Sequence, residues 1–138
     1  MNQIHFVLVL LSLLTVLVAD KYAISWVFGK KELLNKKVVS ALHLIASVLL
    51  STVVLTGGLL FVDNPSYFIS DSTFLIKLVF VAGLILNGFF IEIFANTATE
   101  KTYASLTCSE RRKVLWSGAV SLVGWAGAFV CGLTLVYL

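Results

Sequence analysis

Five ionisable side chains stand within or at the edges of long apolar runs: His5, Asp20, His43, Lys77 and Glu92. A charge inside an apolar span is costly and usually faces a partner, a cavity or a bundle interior, so each needs a chemical account. Asp20, His43 and Glu92 join two carboxylates and an imidazole, a set able to ligate a divalent metal, relay a proton or close into a buried hydrogen-bonded network. Their spacing selects none of the three. The plainer alternatives are a packing role for His43 between Ser40 and Ser47, local pairing of Asp20 with Lys21, and a Glu92 side chain reaching water or the basic connection that follows it. His5 and Lys77 begin their segments and are expected near a surface, where Lys77 can snorkel.

The elements that must position these groups follow from composition. The chain has 138 residues, 59% of them hydrophobic and 12% charged, where a soluble domain carries roughly 45–50% and about 25%. With a mean hydropathy of +1.02, this excludes disordered and ordinary soluble classes and predicts an integral membrane protein. Four unbroken apolar segments are long enough to cross a bilayer: about 4–28, 38–62, 74–95 and 114–138. Membrane strands would alternate instead. The predicted fold is all-α, a four-helix bundle running up-down-up-down as a single domain over 1–138. The first segment resembles a secretory leader, but no basic residue precedes it and Leu17 suits cleavage after Ala19 poorly, so it is read as the first helix.

Charge sets the expected orientation. The connection 29–37 carries four lysines, 96–113 carries Lys101, Arg111, Arg112 and Lys113, and 63–72 carries two aspartates and no lysine or arginine. By the positive-inside rule the first and third connections are cytoplasmic and both termini lie outside, in a plasma or prokaryotic inner membrane. These short clusters flank spans, so nucleic acid is not an expected partner. Thr107 and Glu110 have capping-box spacing ahead of the fourth helix, Asp71 or Ser72 can cap the third, and Asn64-Pro65 supplies a turn. Trp26, Tyr103 and Trp116 are expected as aromatic anchors at one interface, and Tyr67, Phe68 and Tyr137 at the other.

Asp20, His43 and Glu92 then share one depth in the inner half, and Gly88, Glu92 and Asn96 recur at intervals of four on one face. Convergence of these faces would make a polar cavity. His5 is expected at the opposite end from His43, so one chain would not place both on one haem iron. Small residues mark the helix seams: Ser117, Ser121, Gly124, Ala128 and Gly132 in the fourth helix, and Ser40, Ser47 and Ser51 in the second. Either set serves internal packing or a dimer. No metalloprotease, nucleophile-elbow or phosphate-loop motif occurs, so an enzyme is not expected. Cys108 and Cys131 fall in different environments and are read as free thiols.

The runs LHLIASVLLSTVVLTGGLLF, KLVFVAGLILNGFF and WSGAVSLVGWAGAFVCG resemble those of small prokaryotic four-span membrane proteins, some similar to the copper-resistance D and b-type cytochrome membrane domains. The resemblance implies a helical bundle and highlights His43 and Asn87-Gly88, with Glu92 where a second histidine would be sought for haem or copper. The expected function is a non-enzymatic bundle in the lipid bilayer that associates with itself or with a larger membrane complex. The alternative is a small transporter, proton relay or metal- or haem-binding protein built on Asp20, His43 and Glu92.

Overall fold

The structure, a computed structural model, describes residues 2–137, and every regular element among them is helical. Helix α1 spans Asn2–Val27, α2 Lys36–Asp63, α3 Pro65–Ser70, α4 Ser72–Glu100 and α5 Cys108–Tyr137, with a 3₁₀ turn at Tyr103–Ser105. Four of these, α1, α2, α4 and α5, are long and apolar enough to cross a membrane. Each extends beyond or close to its expected apolar segment. In α4 the helix continues past Ala95 to Glu100, because no glycine or proline interrupts Asn96–Glu100. There the Thr97 and Thr99 hydroxyls donate to the carbonyls of Ile93 and Asn96.

Local chemistry fixes the ends. Gly29 closes α1 in the left-handed region at φ +72°, donating to the Trp26 carbonyl while Lys31 N–H reaches Ser25 O. Asn35 caps α2, its Oδ1 accepting from the N–H groups of Lys37 and Val38 at 2.9 and 3.4 Å. The Asp71 carboxylate accepts from Thr73 N–H at 2.7 Å and caps α4. The Thr107–Glu110 capping box forms as expected: Thr107 N–H donates to Glu110 Oε2 at 2.8 Å, and Glu110 N–H to Thr107 Oγ1 at 3.2 Å. In this polar turn ahead of the apolar stretch, the Thr107 N–H holds the Glu110 carboxyl below the usual carboxylate range, with Lys101 adding to the effect. Asn64-Pro65 does more than turn the chain, since Pro65 opens the one-and-a-half-turn helix α3 from its first position.

The long helices pair as two antiparallel hairpins, α1 with α2 and α4 with α5. Contacts within each hairpin are extensive, whereas the α2–α4 and α1–α5 seams are sparse. Glycine packing explains the tightness of the second hairpin. A Cβ on Gly124 would stand 2.8 Å from Leu84, and one on Gly127 would stand 2.5 Å from the Phe80 ring. Only the missing side chains let the helices approach this closely. The buried Asn87 and Ser117 lock the same seam: Asn87 Nδ2 donates to Ser117 O at 2.9 Å, and Ser117 Oγ donates to Asn87 Oδ1 at 2.8 Å. Ser117, Ser121, Gly124 and Ala128 are therefore spent inside the chain.

The hairpins meet most firmly at the end carrying the basic connections. Trp26 is 2% exposed, packs edge-on to Tyr103 with centroids 5.3 Å apart, and donates its indole N–H to Lys101 O at 3.0 Å. Leu34 N–H donates to Ala98 O at 3.0 Å beside it. Trp26 and Tyr103 thus tie the two hairpins together, while Trp116 faces outward.

Candidate functional site

Sparse packing between the hairpins leaves a cavity of about 210 Å³ in the half of the bundle nearer the basic connections. Each long helix lines it with residues that recur three or four apart along one helical face, joined by some of their neighbours. From α1 come Val16, Asp20, Ala23 and Val27, and from α2 Val39, His43, Ala46 and Leu50. The facing wall is Leu84, Gly88, Ile91, Ala95 and Ala98 of α4 with Ser117, Gly118, Ser121 and Trp125 of α5. The first hairpin therefore supplies the titratable groups, and the second mostly supplies room. A Cβ on Gly88 or Gly118 would meet nothing within 4 Å.

Asp20 lies seven residues before the end of α1 and His43 seven after the start of α2, so in antiparallel helices they share a depth to within about one turn. Both are half-buried. The single ion pair among the described residues is Lys101–Glu110, at 3.4 Å on the surface, so Asp20 has no cationic partner there. The arrangement is a carboxylate and an imidazole on one wall of a mainly apolar cavity.

Glu92 does not join them. The expected face through Gly88, Glu92 and Asn96 is rotated in the structure to one through Gly88, Ile91, Ala95 and Ala98, leaving Glu92 and Asn96 exposed. Packing of Leu84 against Gly124 and Asn87 against Ser117 sets this rotation. Among the described residues no three His, Cys, Asp or Glu side chains are grouped to hold a metal ion. The structure thus brings Asp20 and His43 to one cavity and leaves Glu92 outside it.

Haem between two imidazoles does not fit. His5 lines a second cavity toward the end holding the chain termini, and Leu50, Leu84 and Trp125 form the wall common to the two cavities. Val16 packs into the same plug, with Leu13 alongside. The shared depth of Asp20 and His43 was legible in the chain, but the faces that line the cavity, the plug and the second cavity had no sequence signal of their own. Comparison with protein-family models, with curated proteins and with solved structures found no match.

Proposed function

We propose that the chain is a four-span integral membrane protein, non-enzymatic, acting as a small transporter in which Asp20 and His43 form a proton-exchange site in the cytoplasmic half of the bundle, beneath the Trp26 closure. The observation carrying this reading is that the two titratable side chains share one cavity while Gly88, Ala95, Gly118 and Ser121 leave room among the larger side chains of the facing wall. Four helices of sufficient length and apolarity support membrane insertion. Eight lysines and arginines in connections 29–37 and 96–113, against none in 63–72, support cytoplasmic first and third connections with both termini outside. Strong packing within the hairpins and weak packing between them favour motion of one hairpin against the other, as alternating access requires. The apolar plug of Val16, Leu50, Leu84 and Trp125 then keeps the two cavities from joining in the state described.

Protein reconstituted into liposomes with an internal pH indicator should carry protons under an imposed potential, and Asp20→Asn and His43→Ala should each lower the flux at least about tenfold. Flux equal to wild type in both variants refutes the assignment. Cys108, exposed beside the third connection, should react with a membrane-impermeant maleimide only from the cytoplasmic face; labelling of intact cells from outside refutes the orientation.

A second reading is association with another copy or with a larger membrane complex. The observation favouring it is the exposure of Ser40, Ser47 and Ser51 on α2, of which Ser47 also borders the cavity between the hairpins. Cysteines placed at these positions should cross-link between copies in native membranes, and their failure to do so removes self-association through this line.

A further inference from the structure

Beyond the plug, the gap between the hairpins opens into a chamber of about 570 Å³, within the range of small-molecule sites. Its walls are almost wholly apolar and rich in rings, including Phe6, Phe61, Phe68, Phe74, Trp125 and Phe129. Two basic side chains enter it, Lys77 from α4 and His5 from α1.

Lys77 does not snorkel to the end of its helix. Its Nζ lies 3.6 Å from the place a Gly132 Cβ would occupy, so the side chain crosses toward α5, five residues inside that helix. Among the described residues, the other ionisable groups that bear on it are His5 and the Cys131 thiol, and no carboxylate is among them. An ammonium among apolar walls without an anion carries a desolvation cost of several kcal/mol. His5 Nδ1 and Thr56 Oγ1 are hydrogen-bonded at 2.8 Å, and the Thr56 hydroxyl also lies within reach of the Thr52 and Val53 carbonyls at 2.9 and 3.1 Å. That leaves Nε2 as the ring's remaining polar atom. Gly57 makes room for the ring, since a Cβ there would lie 3.3 Å from His5 Cε1.

One unpaired cation in a ring-lined apolar chamber calls for a ligand with a single negative charge and an apolar body. We propose that the chamber binds a single-chain carboxylate amphiphile of the long-chain fatty acid class, its carboxylate on Lys77 Nζ and its chain along the apolar walls. The assignment rests on this chamber alone and stands apart from proton exchange at Asp20 and His43. A single chain suits the volume better than a two-chain lipid, and one lysine suits a monoanion.

The test uses the full chain purified in a nonionic detergent and titrated with a dansyl-labelled undecanoate. Saturable fluorescence enhancement is expected, displaced by palmitate and not by hexadecanol, which shares the chain and the micelle partitioning but lacks the charge. Lys77→Met should weaken binding at least about tenfold, and Lys77→Arg should restore much of it. Equal displacement by hexadecanol, or unchanged affinity in Lys77→Met, overturns the proposal. Stronger displacement by phosphatidylglycerol than by palmitate overturns the carboxylate assignment in favour of a membrane phospholipid headgroup. Headgroup selectivity in the wild-type protein decides the matter even if Lys77→Met fails to fold.

Discussion

Asn87 and Ser117 offer the sharpest test of how the second hairpin is held. Two hydrogen bonds connect them, and they respond differently to substitution. Ser117→Ala removes only the hydroxyl bond to Asn87 Oδ1, because the acceptor for Asn87 Nδ2 is the Ser117 backbone carbonyl, which survives. Asn87→Ala removes both bonds and leaves a void, since Asn87 is buried against α5. Hydrogen bonds between helices in apolar surroundings contribute about 0.6 kcal/mol on average and up to about 1.7, and an unsatisfied buried acceptor costs about 1–3 kcal/mol. Ser117→Ala should therefore destabilise by about 1–2 kcal/mol and Asn87→Ala by about 2–3 kcal/mol. In the double variant the hydroxyl bond is counted once, so the two single costs should exceed the double cost by about 0.6–1.7 kcal/mol. The measurement is reversible unfolding in mixed micelles, following helicity by circular dichroism as the denaturing detergent fraction rises. Additivity within about 0.3 kcal/mol would show that the pair does not couple α4 to α5 and would refute the reasoning.

Gly127→Ala should destabilise by about 1–3 kcal/mol through overpacking against Phe80, whereas Gly83→Ala, which meets open space, should be neutral or stabilising by up to about 1 kcal/mol; thermal unfolding in detergent compares them directly. Trp26→Phe keeps an aromatic ring beside Tyr103 but loses the indole bond to Lys101 O, and should cost about 1–2 kcal/mol in the same assay. Thr107→Ala should cost about 1 kcal/mol by removing the cap of α5. The depressed Glu110 carboxyl adds a pH dependence of known sign: its contribution is present above the ordinary carboxylate range and is lost as pH falls through its lowered value. A pH series on wild type and Glu110→Gln checks this, and identical acid profiles would remove the effect.

The sequence by itself determined the number of long helices, their apolar extent and most of their ends. These depend on short-range facts: unbroken apolar runs, the Thr107–Glu110 spacing and Asp71 one residue ahead of α4. It also brought Asp20 and His43 to one depth, since rise per residue is fixed once the helix ends are known. Rotation about each helix axis was left to tertiary structure. An amphipathic helix announces its inward face, but a helix apolar on all sides does not, and a single residue's difference turns a side chain by about 100°. Glu92 beside Ile91 shows the consequence, as one is exposed and the other lines the cavity. Trp26 and Tyr103 likewise suited an interface by type, yet the closure between hairpins buried Trp26 and packed Tyr103 against it. The serine and glycine line of α5 could have served a second copy as well as α4. Only the approach of Leu84 and Phe80 to Gly124 and Gly127 decided between them, because close packing is a property of two surfaces and neither surface is written in one segment alone.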